Sequence, residues 1–85
     1  MVIIHNLMGY WNYRILVDIY YNEEFFQIHE VYYDDEGKVN GYGENSVSIY
    51  TEEGLDGVKW QLDMMNKALD KPILWGGERF PEEYN

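Results

Sequence analysis

An 85-residue chain is long enough for one small domain, and with no cysteine neither disulfides nor a thiolate zinc site can staple it. Its formal net charge of −10 argues against binding nucleic acid or an anionic membrane, where a cationic face does the work. Aromatic residues make up 18% of the chain, and the area such rings bury partly offsets the small size.

Residues 1–8 (MVIIHNLM) are apolar but broken by His5 and Asn6. They have no basic n-region, no small-residue cleavage site follows, and they fall far short of the ~20 apolar residues of a membrane span. Residues 1–9 are therefore expected as an N-terminal arm or an extra edge strand of a cytoplasmic protein.

Residues 10–21 (YWNYRILVDIYY) read as a strand whose Ile15, Val17 and Ile19 form the buried, period-two face. The polar break Asn22-Glu23-Glu24 suits a hairpin into residues 25–33 (FFQIHEVYY). Strict alternation there gives no clean apolar face. Either a bulge near His29-Glu30 brings Phe26, Ile28, Val31 and Tyr33 together, or both faces are partly covered. Asp34-Asp35-Glu36-Gly37-Lys38 reads as a hairpin loop with glycine in the left-handed region. A weaker strand follows over residues 38–44, and residues 47–50 could form a fourth.

Residues 51–70 read as the helix, with Thr51 as N-cap, Glu52 and Glu53 in the first turn, and Pro72 as the stop. Leu55, Val58, Leu62, Met65 and Leu69 form one stripe expected to lie across a sheet face. That stripe and the Ile15, Val17, Ile19 face are expected to be the most buried residues. Pro72, Ile73, Leu74 and Trp75 are expected to dock on the domain, and residues 76–85 to form a partly loose tail. The fold class is α+β: an antiparallel sheet of three to four strands, one α-helix across it, and an ordered C-terminal extension, in a single domain over residues 1–85.

Three stretches, YWNYR at Tyr10, IHEVYYDDEG at Ile28 and LDMMNKALDKPIL at Leu62, resemble a family of small bacterial proteins. Its members carry W-N-Y-R, I-H-E-V-Y-Y-D-x-x-G and L-E-x-M-x-x-A-x-x-K-P-V-L. The resemblance implies an intracellular bacterial setting and supplies no mechanism. At the level of element order alone, the chain also resembles antitoxin domains with three strands and a helix.

No residue set points firmly to chemistry. His29 and Glu30 form the candidate polar site, since a carboxylate can orient a histidine near neutral pH. Adjacent strand residues face opposite ways, however, so the pair needs a bulge to act together. No metal-ligand spacing, phosphate loop or cofactor fingerprint is present. The acidic pairs Glu23/Glu24, Asp34–Glu36, Glu52/Glu53 and Glu82/Glu83 would allow a DNA mimic that inhibits a nucleic-acid-binding protein. The candidate interface is Trp60 and Met64, flanked by Gly57 and Ala68, on the helix side away from the leucine stripe. It would be covered either by the tail, through Trp75 and Phe80, or by a second copy or another protein. The leading expectation is a non-enzymatic binding or regulatory module acting through protein contacts, as a homodimer.

Overall fold

A computed structural model describes residues 10–85; the expected N-terminal arm lies outside the described residues. The elements are β1 (Tyr10–Tyr20), β2 (Glu23–Tyr33), β3 (Val39–Tyr42), α1 (Gly54–Asn66) and β4 (Leu74–Trp75), with 3₁₀ turns over Lys67–Asp70 and Gly77–Arg79. The sheet order is β3-β2-β1-β4. β1 pairs antiparallel with β2, β2 with β3, and β4 lies parallel to β1. The fold is α+β, a mostly antiparallel sheet with one helix.

The β1–β2 hairpin is the framework. Its ladder runs unbroken from Tyr10 opposite Tyr33 to Tyr20 opposite Glu23. No bulge therefore occurs at His29-Glu30; the one irregularity is between Tyr32 and Tyr33, where β3 pairs. Both sheet faces are covered instead. On one, Leu16, Val31, Tyr33 and Leu74 pack with Val39, Tyr42 and Phe80. On the other, Tyr13 packs with Met65 and Ala68, flanked by Trp11, Ile15, Ile28, Val47 and Met64. Two-sided cover explains why the alternation of β2 looked unresolved. The cover falls on the second half of β2, where His29, Val31 and Tyr33 are buried on one face and Ile28, Glu30 and Tyr32 are half-buried on the other.

The tight turn of the hairpin is Tyr21-Asn22, with φ of 52° and 65°, so both central residues are left-handed as a two-residue hairpin turn requires. The second turn forms as its composition indicates. The Asp34 carboxylate accepts the Glu36 and Lys38 N–H groups at 2.9 Å each, and Gly37 sits at φ 84°. Residues 47–50 form no strand. They run as a loop whose Val47 N–H donates to the Ile28 carbonyl at 2.8 Å. The fourth strand is supplied by the tail.

α1 departs from expectation at its start and in its orientation. Thr51 does not cap it; the Thr51 hydroxyl accepts the Glu53 N–H at 3.0 Å in a separate turn. The helix begins at Gly54, whose φ of 72° is open to glycine and strained for other residues. The inward residues are Gln61, Met65 and Ala68, with Gly57, Val58 and Met64 half-buried. Leu55, Leu62 and Leu69 are 74%, 47% and 68% exposed, and Ile19 on β1 is also exposed. At 100° per residue, the helix is turned roughly a quarter turn from the orientation its leucines suggest. The side that packs carries its small residues, and small side chains let a helix approach its support most closely.

Gly57, on the same side, is packed by the turn that precedes the helix and not by the sheet. A Cβ built there would collide with the Thr51 hydroxyl and lie 3.1 Å from the Glu53 Cβ. Helix propensity alone favours Gly57→Ala by about 1 kcal/mol. The collision reverses the sign, and Gly57→Ala should destabilise the fold by about 1–2 kcal/mol. Urea denaturation of the single variant, and of the same change with Thr51→Ala, checks this; a stabilised single variant would refute the close approach.

Residues 82–84, expected to be loose, run beside β4. The Trp75 N–H donates to the Glu82 carbonyl and the Tyr84 N–H to the Ile73 carbonyl, both at 2.8 Å. The Tyr84 ring meets Phe26 and Trp75 edge-on, and its hydroxyl donates to Glu24 at 2.6 Å.

Candidate functional site

Consecutive residues of a pleated strand face opposite ways, and His29 and Glu30 do so here. His29 is buried beside Tyr42, at 5.4 Å between ring centroids, and its Nδ1 lies 2.8 Å from the Gly43 carbonyl. A carbonyl only accepts, so Nδ1 carries the proton. Opposite His29 in the ladder stands the buried Arg14. Its guanidinium donates to the Tyr33 hydroxyl and the Pro72 carbonyl, each at 2.7 Å. Asn12 Oδ1, Arg14 Nε and His29 Nε2 are buried on this one face without hydrogen-bond partners. Neither Arg14 nor its partners stood out in the sequence, although an arginine inside an apolar run is itself a sign of a buried polar anchor.

Glu30 faces the helix side. Its carboxylate accepts the Tyr32 hydroxyl at 2.8 Å and borders an open cleft of about 430 Å³. Tyr13, Glu44, Tyr50 and Gln61 also line it. Gln61 fastens the loop that closes the cleft: its Nε2 donates to the Ser48 carbonyl at 3.0 Å, and its Oε1 accepts the Tyr50 N–H at 3.1 Å. Leucine content points to the wrong side of the helix for finding this buried glutamine, because Gln61 lies with Met65 and Ala68 on the side that packs.

Burial raises the Tyr32 phenol above its ordinary pKa of 10.0, helped by the hydrogen bond to Glu30 and by that carboxylate's charge. Burial likewise raises Tyr13, opposed by the nearby Gln61 side chain and aided by the charge of Glu30. Both phenols hold their protons more tightly folded than unfolded. Their contribution to stability is complete below the unfolded value near 10 and is lost as pH rises through the folded values. Glu30→Gln should lower the titration of both, and ultraviolet difference titration reads it; unchanged titration would detach Glu30 from these tyrosines.

The candidate interface residues on α1 and the 3₁₀ turn after it, Gly57, Trp60, Met64 and Ala68, share one side but differ in exposure, with Gly57 half-buried. Trp60 is 53% exposed, but Ala68 is in the core and Met64 packs against it. Trp75 lies at the β4 edge, its ring 4.1 Å from the Arg79 guanidinium. Trp75 and Phe80 pack on Tyr84 and Tyr42 respectively.

Two other apolar surfaces are open. One is the line of Leu55, Leu62 and Leu69. The other is the hairpin tip, where Ile19, Tyr20, Tyr21, Phe25 and Phe26 are exposed beside Glu23 and Glu24. The acidic segments do not form one row: Glu23/Glu24 and Asp34–Glu36 sit at opposite ends of the 11-residue β2. Among the described residues no three of His, Asp and Glu are grouped to hold a metal ion, and no described helix is long and apolar enough to cross a membrane.

No protein-family model, curated protein or solved structure matches this chain.

Proposed function

We propose that this protein is a non-enzymatic binding or regulatory module that works through protein–protein contacts and self-associates as a homodimer. The observation that carries this reading is the exposure of Leu55, Leu62 and Leu69 on a helix whose other side is buried. Contiguous apolar surface of that kind marks an interaction site in a small domain. Sedimentation equilibrium over a range of concentrations should give a dimer at micromolar chain. A monomer throughout would remove the self-association.

A second reading concerns the Glu30 cleft. Glu30 and Glu44 line it with Tyr13 and Tyr50, and no lysine or arginine is among its lining residues. That combination suits a small organic cation, held by carboxylate and aromatic ring. Titration with a simple primary amine, followed by NMR shifts of the residues around Glu30, tests it. Equal response in wild type and Glu30→Gln would exclude the cleft.

A further inference from the structure

The rotation of α1 toward its small-residue side sets Leu55, Leu62 and Leu69 seven residues apart on one outward line. A seven-residue repeat drifts only ~20° per step around a helix, so the three leucines make one seam about 21 Å long. Leu69 lies in the 3₁₀ turn that continues the helix. Val58 and Met65 border the seam on the side toward the protein's own core, and Lys59 and Asn66 on the side toward solvent.

Charge decides what fits there. From Gly54 to Lys71, Asp56, Asp63 and Asp70 are balanced by Lys59, Lys67 and Lys71. This segment is neutral in a chain of net charge −10, so all of the net charge lies elsewhere. A second copy approaching along α1 therefore meets the least repulsion. Among the described residues the one ion pair is Arg79 with Glu82. Lys59 and Asp63 thus rim the seam without an ionic partner among the described residues of their own chain.

Resting on the self-association proposed above, we infer that the partner is a second copy docked through α1, the two helices antiparallel about a twofold axis at Leu62. Leu62 then meets the partner's Leu62, and Leu55 meets the partner's Leu69. With ~1.5 Å of rise per residue, Lys59 falls about 3 Å along the axis from the partner's Asp63, within reach of a lysine side chain. Symmetry makes that pair twice, so one patch complements itself. Trp60 lies on nearly the opposite side of the helix and stays outside the contact.

Cysteine placement tests this directly, because the chain has none. Under mild oxidation, Leu62→Cys should cross-link to itself. Leu55→Cys alone should not, but should cross-link when mixed with Leu69→Cys. Lys59→Asp should weaken the dimer about tenfold by setting like charges opposite in two places, and adding Asp63→Lys should restore it. Trp60→Glu should leave the dimer intact. A wild-type monomer would overturn both the self-association and this geometry. A wild-type dimer in which Leu62→Cys stays uncrosslinked, Lys59→Asp has no effect, or Trp60→Glu dissociates the chains would overturn the geometry alone. Loss of fold in Leu62→Cys, read by circular dichroism, would place the seam inside the monomer and overturn it as well.

Discussion

Leu16→Ala should cost this domain about 2–5 kcal/mol. Leu16 is 0% exposed and lies among Val31, Tyr33 and Leu74, where three strands meet. Truncation leaves a cavity that the ladder to β2 and the pairing with β4 do not let collapse. A chain of this size has a total stability of about 4–13 kcal/mol, so the loss is a large share of the margin. In urea, with m of about 1 kcal/mol/M, the midpoint should fall by at least about 2 M. Leu62→Ala on the exposed seam should change monomer stability by no more than about 0.5 kcal/mol. Because that residue lies in the inferred dimer contact, the comparison belongs at concentrations low enough to dissociate it. Equal losses for the two variants would mean that the leucine seam is core.

Arg14→Ala should be nearly as damaging, at about 2–4 kcal/mol, since hydrogen bonds to charged groups are worth more than neutral ones. The guanidinium ties β1 to the Tyr33 hydroxyl at the end of β2 and to Pro72 just before β4. Without it, both acceptors lose their cation. Arg14→Lys should recover only part of the loss, because an ammonium is a point charge and lacks the planar fork that reaches two acceptors at once. The damage should begin at the tail. The Gly76 N–H donates to the Val17 carbonyl at 2.9 Å and the Trp75 N–H to Glu82. In Arg14→Ala, hydrogen exchange at these two amides should quicken before exchange in the β1–β2 ladder does. Uniform acceleration across the sheet would instead make Arg14 part of the general core.

Much of the fold could be read from local signals. The β1–β2 hairpin follows from two runs of branched and aromatic residues separated by a polar break, and Asp34 with Gly37 marks the next turn. The helix is legible from its spacing and from the proline after it. The candidate site was less legible. His29 and Glu30 were visible as a pair, but one serves the Arg14 side of the sheet and the other the cleft with Tyr13 and Gln61. Gln61, whose amide holds the loop over that cleft, carries no distinguishing local pattern.

Composition, alternation and turn chemistry by themselves determined the class, the hairpin and the existence of one helix, because those depend on neighbours in the chain. Tertiary structure decided which sides are inside. Periodicity reports which side of an element is apolar; burial depends on which side another segment reaches. Ala68, packed with Tyr13 and Met65, lets α1 approach on that side, and that approach turns Leu55, Leu62 and Leu69 outward. The tail supplies β4 and covers Tyr42 through Phe80, so β1 is covered on both faces where one had been expected. Both outcomes rest on close packing between segments far apart in sequence, which no single window of residues contains.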